Sequence, residues 1–209
     1  SQEELSKESV YPRFDQPDSV KKRLVPFGER IEFGGFFGVS LNDPFFNSYP
    51  IGIDARYHLN DLHSVGLLGA YNISNQSSYV GQIQGQVSGG NLIPFNNSPA
   101  PLYFFLAENE FTPYYGKISI TKQTVMNLSI SGSAGIGMIT VNSAAGNDSS
   151  ANISLGLNER FFFTRNFGIK ADLRTMFYQQ NDIVVIVPSK KNVVNLILTV
   201  GAIYFIPSL

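Results

Sequence analysis

The sequence has no cysteine and no tryptophan, and charged residues make up only 15% of its 209 residues. Without cysteine, disulfide bonds and thiolate metal sites are excluded. Soluble domains average about 25% charged residues, so this chain carries few charges for a protein surrounded by water. Its net charge of -1 gives no electrostatic reason to expect a nucleic-acid partner.

Long hydrophobic runs are also missing, although 43% of the residues are hydrophobic. A transmembrane helix needs an unbroken apolar stretch of about 18 residues or more, and none occurs. Apolar residues instead alternate with polar or small ones, a period typical of β-strands that have two different faces. The pattern predicts eight strands: Arg30–Ser40, Tyr49–Leu59, Ser64–Ile73, Ala107–Tyr115, Met126–Met138, Ile153–Phe163, Phe167–Phe177 and Val194–Tyr204.

The chain divides into an N-terminal arm, residues 1–28, and a barrel domain, residues 29–209. The arm is rich in charged residues and contains Pro12, Pro17 and Pro26, a composition typical of irregular, solvated chain. Two roles for the arm stay open at this point. It binds a neighbouring subunit, or it extends free into solvent.

Eight amphipathic strands predict an all-β fold, an eight-stranded antiparallel up-and-down transmembrane β-barrel. Short connections at 60–62, 121–124 and 165–166 alternate with longer ones, of which 75–101 is the longest. This asymmetry is typical of barrels in the outer membrane of Gram-negative bacteria, with both termini in the periplasm. A soluble barrel such as a lipocalin is the alternative. The predicted polar face is poor in Lys and rich in Gly and Ser, which favours a barrel lumen.

The sharpest chemical feature is a set of ten charged residues, five basic and five acidic, that fall on the predicted inward face. They are Arg30, Glu32, Asp54, Arg56, Glu108, Glu110, Arg160, Lys170, Asp172 and Arg174. An unpaired charge in a closed lumen costs several kcal/mol, so we expect a ladder of ion pairs that plugs the barrel. The alternative is a charge-selective pore.

No constellation for catalysis is evident, and we expect no enzyme activity, no cofactor and no metal. His58 and His63 both lie near a short turn, away from the outer loops in which a barrel enzyme would meet its substrate. Asp61, His63 and Ser64 are too close in sequence to converge as a triad.

A few predicted outward positions do not suit a surface covered wholly by lipid. Asn109 and Glu159 are polar, and a charge at the membrane midplane costs up to about 2 to 4 kcal/mol. Gly132 and Ala134 are small enough to let another barrel approach. We therefore expect self-association into a homo-oligomer. The alternative is that Glu159 lies near the periplasmic rim or in a β-bulge.

The C-terminal stretch from Thr199 to Ile206 resembles the β-signal that the barrel assembly machinery reads: a polar residue, a glycine, then aromatic or apolar residues at alternate positions. It matches at Thr199, Gly201, Tyr204 and Ile206, and three further residues, Pro-Ser-Leu, follow it. The resemblance implies the assembly machinery and outer-membrane lipids as partners.

Three motifs carry a family resemblance: Leu41-Asn42-Asp43-Pro44-Phe45-Phe46, Phe111-Thr112-Pro113-Tyr114-Tyr115-Gly116-Lys117 and Arg160-Phe161-Phe162-Phe163. On these, the chain from about residue 9 to the end resembles the outer-membrane β-barrel domain proteins of myxobacteria and bdellovibrios, which are OmpA-like in architecture. The resemblance implies an envelope role without known catalytic residues. The function expected is thus a structural barrel with a plugged lumen, and the alternative is a narrow porin-like channel for small polar solutes.

Overall fold

The computed structural model describes residues 25–43, 45–78, 80, 100–119, 125–143, 146–181 and 190–207. These ranges form eight strands: β1 (Arg30–Ser40), β2 (Phe46–His58), β3 (His63–Gln76), β4 (Ala100–Ser119), β5 (Val125–Ser143), β6 (Gly146–Phe162), β7 (Phe167–Asn181) and β8 (Lys190–Ile206). Each strand pairs antiparallel with the next, and β8 pairs with β1 to close the ring. The predicted fold class is confirmed. Across the described ranges, no helix has both the length and the apolar character to cross a membrane.

The two ends of the barrel hold different parts of the chain. The terminal end holds Arg30, Ile206 and the short turns 59–62 and 163–166, and the loop end is the opposite one. At the terminal end the predicted and observed strand bounds agree within two residues, except that β4 runs four residues further than predicted, to Ser119. At the loop end β4, β5 and β6 run several residues further than predicted, up to the pair Ser143 and Gly146. Backbone ladder bonds continue there although apolar and polar residues no longer alternate regularly along the sequence.

The stagger of the strands fixes the width of the barrel. Following paired residues from Glu32 around the sheet leads to Asn195 on β8, whereas the direct partner of Glu32 across the seam is Phe205, ten residues further along. Eight strands with a stagger of ten tilt by about 40° and give a backbone radius of about 8 Å. Such an interior has room for side chains and little else.

The two faces of the sheet are as the alternation predicts. On the outside, Ile53 is 73% exposed, Ile136 69% and Leu67 67%. On the inside, Glu32 and Arg160 are fully buried. A soluble barrel holds its apolar face inside, so this arrangement is the reverse of the lipocalin alternative.

A period of two from Asn109, which is predicted to face outward, puts Tyr115 on the outward face as well, and this prediction is wrong. The register of β4 against β5 shifts between Phe111 and Tyr114, at Pro113, which has no N–H to donate to the ladder. Tyr114 is therefore outside, and Tyr115 turns in towards the core. Leu128 stays on the outward face, but it is only 4% exposed because the ring of Tyr114 lies over its partner Gly116.

Candidate functional site in the barrel interior

A buried charged network fills the middle of the interior. It comprises Glu32, Asp54, Arg56, Glu108, Glu110, Arg160, Lys170, Asp172 and Arg174, each at most 6% exposed. These residues come from β1, β2, β4, β6 and β7. The intervening strand β5 turns Ser131, Ser133 and Gly135 inward. A Cβ on Gly135 would lie 2.9 Å from the side chain of Glu108, so its small size makes room for that carboxylate.

Arg160 is the centre of the network. Its Nε donates to Glu32 Oε2 at 3.0 Å, and its Nη2 lies 2.8 Å from Glu110 Oε1. Its Nη1 donates to Ser131 Oγ at 2.9 Å. One guanidinium thus joins β1, β4, β5 and β6 across the barrel axis, with the planar fork of donors that only arginine offers.

The other three cations link the remaining carboxylates. Arg56 Nη2 donates to Glu108 Oε2 at 3.0 Å, and Lys170 Nζ donates to Glu32 Oε1 at 3.1 Å. Lys170 also pairs with Asp54. Arg174 pairs with both Glu108 and Asp172. Every carboxylate of the network therefore meets at least one cation, which is what burial of ions requires.

Two further polar residues join the network, and the sequence analysis gave them no role in it. His58 Nε2 lies 3.0 Å from Glu32 Oε2, and Asn158 Nδ2 donates to Glu110 Oε2 at 3.1 Å. Both stand two residues from a network arginine on the same strand, so the inward period of two was the signal for each.

Arg30, predicted to belong to the lumen ion pairs, lies apart from them at the terminal end. Its guanidinium donates to the backbone carbonyls of Pro26, Arg165 and Pro207 and to Asn166 Oδ1. It also stacks over the ring of Phe205, 5.0 Å from the centroid. As the first residue of β1, it is too near the barrel mouth to reach the central carboxylates. It ties the N-terminal segment to the C-terminal one instead.

A cluster of mostly aromatic side chains, here called the aromatic plug, lies in the interior at the terminal end. It consists of Val25, Phe27, Phe162, Ile203 and Phe205, with Tyr115 packed against them. The ring of Phe27 stacks on that of Phe205 at 5.6 Å, and it is fully buried.

The last residues of the predicted arm are therefore neither solvated nor free. Phe27 N donates to Asp61 Oδ1 at 2.8 Å, and Val25 N donates to the hydroxyl of Tyr115 at 3.3 Å. These bonds hold the segment inside the mouth of its own barrel. Residues 1–24 of the arm lie outside the described residues.

An apolar layer fills the interior towards the loop end. Its members are Phe36, Leu68, Ala70, Phe104, Leu106, Ile139, Val141, Met176, Tyr178 and Ile197. The sequence analysis expected ions along the lumen and did not foresee this layer. On β4, Leu106 and Phe104 continue the inward positions of Glu108 and Glu110, so the switch from charged to apolar occurs within one strand.

The residues of the predicted assembly signal lie in β8, along its seam with β1. Thr199 and Gly201 face the interior, whereas Tyr204 and Ile206 face outward and are each 46% exposed. A Cβ on Gly201 would lie 2.7 Å from that of Phe36, so this glycine leaves room for the phenylalanine beneath it.

The residues weighed for catalysis are engaged otherwise. The carboxylate of Asp61 accepts the backbone N–H groups of Phe27 and Gly28. His63 packs on the ring of Phe111 at 5.1 Å, and Ser64 is buried on the opposite face of β3. Among the described residues, no three His, Asp or Glu side chains are grouped as metal ligands.

No protein-family model matches the chain, and no curated protein matches it. The solved N-terminal β-barrel domain of OprF from Pseudomonas aeruginosa is similar, with a TM-score of 0.52 and 14% identity over 85% of this chain and 98% of that domain. Neisserial surface protein A gives a TM-score of 0.43 at 14% identity, over 84% of this chain and 94% of that one. The outer membrane protein OprG of Pseudomonas aeruginosa gives 0.41 at 9% identity, over 90% and 100%. What this chain shares with the OprF domain is the barrel fold.

Proposed function

We propose that this protein is a structural barrel of the bacterial outer membrane whose interior is sealed along its length. The observation that supports the proposal is that three successive layers of side chains fill the narrow interior. The aromatic plug, the charged network and the apolar layer follow one another from the terminal end to the loop end. An ion that entered would have to displace paired charges and cross two layers that are mainly apolar, at a high desolvation cost.

The exterior supports the membrane placement. Tyr49 and Tyr57 both face outward on β2, eight residues apart, which corresponds to about 20 Å along the axis at the tilt of this barrel. Between them the outward side chains are Ile51, Ile53 and Ala55. A band of this height, bounded by aromatic rings, matches the apolar belt of about 25 Å that outer-membrane barrels present to lipid.

The lengths of the connections support a proposed orientation of the barrel. Short turns gather at the terminal end, whereas the connection 77–99 leaves from the loop end. Outer-membrane barrels keep their short turns in the periplasm, so both termini are assigned to the periplasmic side. The partners proposed are outer-membrane lipids, the barrel assembly machinery and further copies of the chain. We also propose, from the three sequence motifs that carry the resemblance, that this barrel is of the myxobacterial and bdellovibrio type.

Conductance across planar lipid bilayers tests the sealed interior. We expect the protein to insert into the bilayer without producing a steady conductance. A general porin measured in the same bilayers is the positive control. The variant Phe27→Ala, which removes the centre of the aromatic plug, is expected to stay closed because two layers remain. Steady openings of the unaltered protein would contradict the proposal and support the alternative, a narrow channel for small polar solutes.

A further inference from the structure

Two polar side chains interrupt the apolar exterior. Asn109 on β4 and Glu159 on β6 both point away from the interior. Their cross-strand neighbours on that face are all apolar: Val65 and Ala134 beside Asn109, and Ile130 and Ala171 beside Glu159. Within the part of the chain that the structure describes, neither side chain has a hydrogen-bond partner. Their own barrel therefore gives these groups nothing to bind.

The two residues lie at nearly the same height along the barrel axis. Asn109 pairs with Ala134, and Ala134 pairs with Leu155, which stands four residues before Glu159. Each step across the ladder rises about 3 Å towards the loop end, and four residues along β6 descend about 10 Å. The heights of Asn109 and Glu159 therefore differ by about 4 Å.

A β-bulge does not explain the outward position of Glu159. Glu159 lies about 10 Å from Phe163 along β6 and, by the same ladder steps, about 2 Å on the loop side of Tyr57, so it stands just inside the terminal boundary of the apolar band. The ladders of β6 with β5 and β7 run without a register shift through Glu159, so it is not in a bulge.

Gly132 on β5 lies midway between the two polar residues. Asn109 pairs with Ala134, two residues after Gly132, and Glu159 pairs with Ile130, two residues before it. A Cβ on Gly132 would meet only a backbone oxygen 4.0 Å away, so the outer surface is open at this point. The face is thus a shallow site with an amide on one flank and a carboxylate on the other.

We propose that two copies of the chain form a twofold-symmetric dimer through this face, with Gly132 beside the symmetry axis. A twofold axis parallel to the barrel axes keeps each residue at the same height in both copies and places β4 of one copy opposite β6 of the other. The outward face of β4, β5 and β6 therefore complements itself. Asn109 of each copy then faces Glu159 of the other, and the amide donates to the carboxylate on both flanks. The inference rests on the proposed membrane placement, and it specifies the surface through which the barrel self-associates.

The absence of native cysteine allows a direct test by single-cysteine cross-linking in lipid vesicles. Gly132→Cys places a thiol at the proposed axis. Gly35→Cys is the matched control, because a Cβ there meets nothing within 4 Å and β1 lies on the far side of the ring. At low protein-to-lipid ratio, we expect Gly132→Cys to give a covalent dimer in several-fold higher yield than Gly35→Cys. Equal yields would mean that both positions face lipid and that cross-links form only in random encounters. This result would overturn the dimer.

The polar pair is tested in the Gly132→Cys background. Adding Glu159→Leu or Asn109→Leu is expected to lower the dimer yield several-fold, whereas Glu159→Gln, which keeps an accepting oxygen, is expected to lower it less. Undiminished cross-linking in both leucine variants would overturn the assigned contact. Insertion is measured on the same vesicles by protease protection. Protein that inserts without cross-linking refutes the dimer alone, and protein that fails to insert refutes the proposed function.

Discussion

The charged network and the apolar layer fill the same barrel by different physics. In the network each group needs a particular partner, as Arg160 does with Glu32, Glu110 and Ser131. In the apolar layer Leu106 and its neighbours need only matching volume. Pairing is specific and fails when one member is removed, whereas packing is graded and tolerates changes of shape. The comparison teaches that one strand pattern can enclose either kind of core.

The largest expected effect is that of Arg160→Met in the charged network. The change leaves Glu32 and Glu110 without their shared guanidinium, and breaking a buried pair in this way costs about 3 to 5 kcal/mol. We expect the free energy of unfolding in lipid vesicles to fall by about that amount, measured by circular dichroism during a guanidinium titration. A loss below about 1 kcal/mol would show that water reaches the network and would break the contrast between the two layers.

The next effect is that of Leu106→Ala in the apolar layer. Removing a buried leucine side chain leaves a cavity and costs about 3 kcal/mol, within the range of 2 to 5 for such changes. The same titration measures it, with the outward Leu67→Ala as control, which removes a side chain that is 67% exposed. Both variants are measured in detergent micelles as well as in vesicles. If Leu106→Ala and Leu67→Ala lower the free energy of unfolding equally in both, the apolar layer is not a packed core.

The smallest effects come from conservative changes, and these sharpen the comparison most. Leu106→Met keeps volume and is expected to cost less than about 1.5 kcal/mol. Arg160→Lys keeps the charge but loses the planar fork of donors, so we expect a cost of about 2 kcal/mol from the hydrogen bonds left unmade. The two variants are titrated side by side. The opposite order of cost would mean that charge alone holds the network together.

Much of this molecule was predictable because strand alternation is a local property. The segment Arg30–Ser40, for example, was predicted with its observed bounds. The inward charges were identifiable for the same reason. Their partners were not, because Glu32 and Arg160 are 128 residues apart and meet only when the ring closes.

The errors have particular causes. Tyr115 was placed on the wrong face because a single shift at Pro113 reverses every later side chain on that strand. Phe27 was assigned to a solvated arm because its neighbours Pro26 and Gly28 break the strand pattern, although the mouth of the barrel is where the ring packs.

By itself the sequence determined the number of strands, the apolar exterior and the identity of the inward charges, since each depends on the period of two along a single strand. Only the tertiary structure decided the stagger of ten, the three successive layers and the separation of Arg30 from the other ions. These depend on which strands face one another across the axis, and that relation is fixed only when β8 closes on β1.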